Sequence, residues 1–147
     1  MREILFKAKT TKKDNPKHEF SEKWVEGNLI LCGEKAYIHP ISNKIRTTGE
    51  IGRIIVLHEV IPNTLCQYTG LTDKNGQKIW ENDICNRKEK HPEIVTYNKG
   101  DWQLDYSYAL GKEKHFCACN LGFYVCERNC VEVIGNVFDN PELLEVE

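Results

Sequence analysis

The chain of 147 residues and 17.1 kDa is long enough for one ordinary domain or two very small ones, which excludes a large multidomain enzyme. Hydrophobic residues at 40% and charged residues at 29% fit a globular protein and exclude a disordered one. The formal net charge of -2 removes overall basicity as an argument for nucleic-acid binding.

In chain order, the pattern reads as strands almost throughout. Ile4 to Ala8 opens as an extended segment, followed by a polar, lysine-rich loop from Lys9 to Lys23 that holds Lys9, Lys12, Lys13 and Lys17 around Pro16. Trp24 to Leu31 reads as strand, turn, strand, with Glu26-Gly27-Asn28 as the turn. Tyr37-Ile38-His39 and Ile54 to Val60 are further β-branched runs. Pro62 and Asn63 interrupt the series, so two regions are expected, 1–61 and 62–147, which pack as one structural unit or stand apart.

The second region is better patterned. Asp73-Lys74-Asn75-Gly76 lies between Leu71 and Ile79, and Asn-Gly between apolar residues is the strongest short hairpin signal. Trp102, Leu104, Tyr106, Tyr108 and Leu110 alternate with Gln103, Asp105, Ser107 and Ala109, which predicts one long half-buried strand. Ile94 to Tyr97, Phe123 to Cys126 and Val131 to Phe138 complete a set of short strands. Helix is expected only at the C-terminus, where Asn140 is placed to cap, Pro141 suits the first helical position and Glu142 complements the dipole. The expected fold is therefore mainly β: an N-terminal β region and a C-terminal small barrel or sandwich, closed by a short helical turn.

The stretch Gln67-Tyr68-Thr69-Gly70-Leu71-Thr72-Asp73-Lys74-Asn75-Gly76-Gln77-Lys78-Ile79-Trp80-Glu81-Asn82-Asp83-Ile84 resembles the signature of the YopX family, small proteins of bacteriophages and prophages. Arg2 to Ala8 is similar to that family's opening strand, and Val133 to Leu144 to its closing segment. The chain departs from the family's pattern at Asn82, where Gly is usual, and in the cysteine-rich insert from Cys117 to Cys130. The resemblance implies a mainly-β fold with an SH3-like barrel in the C-terminal half, and it brings no catalytic residues with it.

Seven cysteines are many for this length, and an odd number leaves one thiol over if disulfides form. The N-terminus carries no apolar stretch followed by a small-residue cleavage site, so a cytoplasmic location is expected, where thiols stay reduced and act first as small buried hydrophobes. No apolar run approaches the roughly 20 residues that cross a bilayer, so no membrane is expected. Cys117, Cys119, Cys126 and Cys130, with His115 ahead of them, are the candidate zinc ligands, four thiolates that could form a tetrahedral site. Their spacing differs from the C-x2-C of ordinary zinc knuckles, and reduced packing thiols are the competing reading.

Nucleophilic catalysis needs a thiol or hydroxyl beside a base held by a third group. Cys66 or Cys85 with a histidine could supply the pair, but no elbow or oxyanion turn marks one out, so no catalytic residue is expected. His39 and His58 read as hydrogen-bonded structural groups, and Glu81 with Asp83 as turn-capping carboxylates or an acid-base pair. Lys9, Lys12, Lys13, Lys17, Arg87, Lys88 and Lys90 are the candidate nucleic-acid contacts, with Trp80, Tyr97, Trp102, Tyr106 and Tyr108 as possible stacking platforms. The acidic tail of Asp139, Glu142, Glu145 and Glu147 dilutes that field. The chain is thus expected to be a non-enzymatic binding or self-assembling module, in all expectation a homo-oligomer because strand-rich chains leave edges that need cover. Nucleic-acid binding in phage replication or regulation is the alternative.

Overall fold

The computed structural model describes residues 1–12, 23–40, 56–111 and 118–146. It divides into two compact units, Met1–Gln67 and Tyr68–Glu147. Eleven strands lie among the described residues, and all their pairings are antiparallel. The protein is mainly β; no closed barrel is found among the described residues.

In the N-terminal unit, β1 (Phe6–Lys9), β2 (Trp24–Cys32), β3 (Lys35–Pro40) and β4 (His58–Val60) lie in the order β4-β3-β2-β1, and the start of β5 (Cys66–Thr72) pairs with the other side of β1. Its core is Ala8, Ala36, Ile38 and Val60, with Phe6, Val25, Leu29 and Leu65 packed against it. A single bridge sets Thr10 opposite Val60. Thr11 N donates to Glu59 O at 3.0 Å and Ile61 N to Lys9 O at 2.8 Å. The Thr64 hydroxyl accepts from Lys9 N at 2.9 Å and donates to Ile61 O at 2.7 Å. It thereby fixes the 3-10 turn Pro62–Thr64 to the end of β1.

The expected strand-turn-strand over Trp24–Leu31 is corrected: β2 runs straight through Gly27, and the reversal comes at Gly33-Glu34. Gly27 is there for space. A Cβ on it would sit 1.9 Å from the His39 carbonyl oxygen, so glycine marks a close backbone approach inside a strand rather than a turn. Of the described part of the expected strand from Ile54 to Val60, His58–Val60 is a strand and Val56 and Leu57 are not; residues 51–55 lie outside the described residues.

The C-terminal unit pairs the end of β5 with β6 (Lys78–Trp80). It also holds a five-stranded sheet of β7 (Asp83–Asn86), β8 (Glu93–Asn98), β9 (Asp101–Asp105), β10 (Ala118–Asn120) and β11 (Glu132–Asn136), in the order β10-β9-β8-β7-β11. Ile79, Cys85, Val95, Leu104, Leu121 and Val131 form its core. The hairpin at Asp73–Gly76 forms as expected, closed by Asp73 N to Gln77 O at 2.8 Å. Asp73 is buried, and its carboxylate accepts from three backbone N–H groups: Asn75 and Gln77 on Oδ1, and Val133 on Oδ2, each at 2.9 Å. It closes its own loop and seizes β11.

Two further strand expectations fail for a shared reason, a side chain that outbids the ladder for the backbone. The strand from Trp102 stops at Asp105, whose Oδ1 accepts from Ser107 N at 2.7 Å and starts the 3-10 turn Ser107–Ala109. Phe123 to Cys126 is a π-helical turn, Phe123–Glu127, started by Asn120 Oδ1 accepting from Phe123 N at 2.7 Å and closed by Arg128 N to Phe123 O at 3.3 Å. The last strand also ends early, at Asn136, where its Oδ1 accepts from Phe138 and Asp139 N. The C-terminal helical turn exists as the 3-10 turn Pro141–Leu144, yet Asn140 does not cap it; its Oδ1 accepts from Asn136 N at 3.2 Å.

Gly27→Ala should cost about 3 kcal/mol or more, because the clash is with backbone and no rotamer relieves it. Urea unfolding of the two proteins measures it, and a midpoint equal to that of the parent contradicts the close approach.

Candidate functional site

The candidate residues fall into two groups, one in each unit. In the N-terminal unit, the period of two along β1 sends Phe6 and Ala8 into the core and Lys7 and Lys9 to the opposite face. Trp24 is the register partner of Lys9, and both ammonium groups lie over its indole, Lys7 Nζ 4.8 Å and Lys9 Nζ 5.5 Å from the ring centroid. Each such contact at a partly exposed site is worth about 0.5–1 kcal/mol. Lys12 is exposed; Lys13 and Lys17 lie outside the described residues. Sequence reasoning marked a basic patch from Lys7 to Lys23, with Lys9 and Lys12 as contacts, and passed over Trp24. The available signal was the alternation Phe6-Lys7-Ala8-Lys9, which places both lysines on one face.

In the C-terminal unit, Arg87, Lys88 and Lys90 follow β7, and they serve different ends. Lys88, at φ 67°, and Lys90 are exposed. Arg87 is not: its side chain is 8% exposed, and Nε donates to Glu93 Oε1 at 2.5 Å and Nη2 to Oε2 at 3.4 Å. Its remaining donors reach Glu89 Oε1 at 3.3 Å and Cys119 Sγ at 3.2 Å, and its guanidinium stacks over Tyr124 at 4.0 Å. Arg87 thus joins β7, β8, β10 and the π-helical turn, leaving no donor set aimed at a phosphate.

Glu93 itself is 1% exposed. Burial raises its carboxyl above the ordinary value of 4.5, against the lowering pull of Arg87, and Glu89 and Asp105 add to the rise. Burial pulls Arg87 down, but its hydrogen bond to Glu93 and the charges of Glu93, Cys119 and Tyr124 leave it raised. The Cys85 thiol is raised well above its ordinary value by burial first and then by Asp83, Asp73 and Glu93. A thiol held in its protonated form is the reverse of what nucleophilic attack requires. Cys66 is equally buried and donates through Sγ to Thr64 O at 3.3 Å.

Cys119 is half-buried beside Arg87, Cys126 is exposed on the π-helical turn, and Cys130 Sγ lies 3.8 Å from Tyr124 O. Cys117 and His115 lie outside the described residues. Among the described residues, no group of three or more His, Cys, Asp or Glu side chains is arranged to hold a metal ion. Asp83 is buried and caps the turn before β7, its Oδ2 accepting from Trp80 N at 2.8 Å. Asn82 at the centre of that turn has φ 69°, a conformation that glycine adopts freely and asparagine tolerates. His39 and His58 sit within β3 and β4. Of the aromatic candidates, Trp80 is buried, Tyr97 is 57% exposed and packs edge-on against Trp102 at 4.9 Å, and Tyr108 donates to Pro92 O at 2.7 Å. Tyr106 is half-buried ahead of the 3-10 turn.

Two antiparallel sheets, the Asp73 hairpin and the absence, among the described residues, of any helix long and apolar enough to cross a membrane define a mainly-β protein with polar surface clusters. The family model described as YopX protein matches residues 10–145, and the chain belongs to the YopX family. A solved structure, the crystal structure of protein EF1440 from Enterococcus faecalis, is similar at 21% identity with a TM-score of 0.56, covering 99% of this chain and 100% of that one. That likeness is one of fold. The search of curated proteins returned no match.

Arg87→Met should cost about 3–5 kcal/mol at neutral pH by leaving Glu93 buried and unpaired, whereas Arg87→Met with Glu93→Leu should restore most of the loss. The pH dependence has a definite sign. Folding binds the Glu93 proton more tightly than the unfolded chain does, so the stability tied to it is complete below 4.5 and is lost as pH rises through the higher folded value. Removing Arg87 should move that decline to higher pH. Urea titrations across pH 4 to 8 measure both effects, and single and double variants of equal stability contradict the pairing.

Proposed function

We propose that the chain is a phage- or prophage-encoded YopX-family module that acts by binding, without catalysis of its own, and that its first partner is a second copy of itself. The observation that carries this reading is the far half of β2. β1 covers β2 only from Trp24 to Gly27, while β2 continues to Cys32 with β3 alone beside it among the described residues. Among the described residues, the edge from Asn28 to Cys32 therefore has a strand on one side only. Ile30 and Leu31 on it are 41% and 67% exposed. An uncovered strand edge with apolar side chains is a template for pairing with another strand, and an identical edge on a second copy is complementary by two-fold symmetry.

The C-terminal unit is read as an SH3-like small barrel. Its strand order supports this: a meander from β7 to β10, whose last strand, β11, returns beside the first after a short helical turn. Reading it as a binding scaffold is an analogy of fold.

Light scattering on the eluting protein tests self-association. The parent should run at a multiple of 17.1 kDa and Ile30→Lys with Leu31→Lys as a single copy. A concentration-independent 17.1 kDa for the parent overturns the reading.

Nucleic-acid binding is the second reading, favoured by a charge asymmetry: the first 23 residues hold seven lysines and arginines against four acidic residues in a chain of net charge -2. The protein should be retained on immobilised nucleic acid at low salt and released as salt rises. No retention at low ionic strength removes this reading.

A further inference from the structure

The N-terminal charge is not spread evenly over the surface; the sheet gathers part of it around one aromatic ring. Lys7 and Lys9 project from β1 on the face opposite the buried Ala8, and β2 sets Trp24 in register with Lys9 on that same face. Both ammonium groups sit over the indole. Thr10 ties Lys23 to this corner: Thr10 N donates to Lys23 O at 2.8 Å, and Lys23 N donates to Thr10 Oγ1 at 3.4 Å. Lys12 and Lys23 are exposed, and Trp24 is half-buried. Glu26 lies opposite Lys7 on β2 and is an acidic residue of the same face.

A flat ring framed by cations offers two interactions that a single strand can satisfy together, stacking for a base and ion pairing for its phosphates. A duplex presents phosphates but keeps its base faces inside, so it satisfies only the second. An acidic peptide likewise brings charge without a stacking face, unless it carries aromatic residues.

We infer that the Lys7–Lys9–Trp24 strip binds single-stranded nucleic acid, with one base stacked on the Trp24 indole and the flanking phosphates held by Lys7, Lys9, Lys12 and Lys23. The lysines exchange the ring for phosphate as the base arrives, so binding trades cation–π contacts for stacking and ion pairs. This rests on the nucleic-acid reading above and adds the form of the ligand and its place.

The test uses the full chain with Trp80→Phe and Trp102→Phe, which leaves Trp24 the sole indole of three. Oligothymidylate and a duplex of equal length are titrated at low salt. The single strand should quench Trp24 emission and bind about tenfold or more tighter than the duplex. Lys7→Gln with Lys9→Gln should lower the slope of log affinity against log salt by about 1.4. Since Trp80 is buried and its replacement can disturb folding, a second measurement keeps Trp80 and Trp102 and follows labelled oligothymidylate by anisotropy. There Trp24→Leu should lose about tenfold in affinity. Equal affinity for duplex and single strand, or Trp24 and Lys7/Lys9 variants that bind like the parent, overturns this inference and leaves the wider reading standing on another surface. Failure of both ligands to bind at low salt removes this inference and the wider reading together.

Discussion

The C-terminal unit depends on one buried carboxylate. Asp73 accepts from the N–H groups of Asn75, Gln77 and Val133, and these three bonds do different jobs. Two shape a tight loop between β5 and β6, while the third holds β11, a strand sixty residues further along the chain. Lys74 N donates to Val131 O at 3.0 Å, and the Lys74 ammonium meets Glu132 at 3.4 Å, so the same loop grips β11 at two more points. A carboxylate can be buried in this way because backbone N–H groups replace its water. Neither an amide nor a hydroxyl offers two equivalent acceptor oxygens, so the residue type and its position are fixed together. The wet outer edge of β11, a pairing hazard in an open sheet, is covered by the loop.

Arg87 plays a comparable part just past the C-terminal end of β7. It joins four elements through Glu93, Cys119 and Tyr124, and its guanidinium is enclosed by the groups it binds. Of the three cationic residues Arg87, Lys88 and Lys90 that follow β7, one is therefore structural and two remain on the surface. Charge alone does not separate them in a sequence, whereas the carboxylate six residues on, Glu93, does so once β7 and β8 are known to be paired. Arginine suits this role better than lysine because its planar fork reaches both carboxylate oxygens while its face stacks on an aromatic ring.

The strand-rich character, the Asp73–Gly76 hairpin and the C-terminal helical turn were legible because each is signalled by local chemistry: β-branched runs, Asn-Gly, and Asn-Pro-Glu. What escaped was decided by contacts remote in sequence or by side chains that compete with the sheet. Gly27 reads as a turn until His39 is seen lying against it. The alternation from Trp102 to Leu110 is real as a pattern, yet Asp105 ends the strand within it by capping Ser107. Asn120 does the same ahead of Phe123 and converts an apolar run into a helical turn. The candidate lysines were legible as a group, but the face they share with Trp24 emerged only from the register of β1 on β2. The chemistry of Cys66 and Cys85 was legible only as far as their type, since burial and surrounding carboxylates decide what a thiol can do.

The sheet connectivity also sets an order of events during synthesis. The last described strand to join the N-terminal unit, β5, pairs with β1 through Cys66 and Gln67, so the strand pairings described in that unit are possible once residue 67 has emerged. The C-terminal unit is in a different position. β7 waits for β11, nearly fifty residues later, and until then one side of β7 and the Asp73 carboxylate lack their final partners. Loop closure over that separation is slow compared with hairpin formation, so the nascent chain carries an unfinished sheet edge while ribosomes still hold it. The interval in which the protein is most open to mispairing with its neighbours is thus written into the position of its last strand.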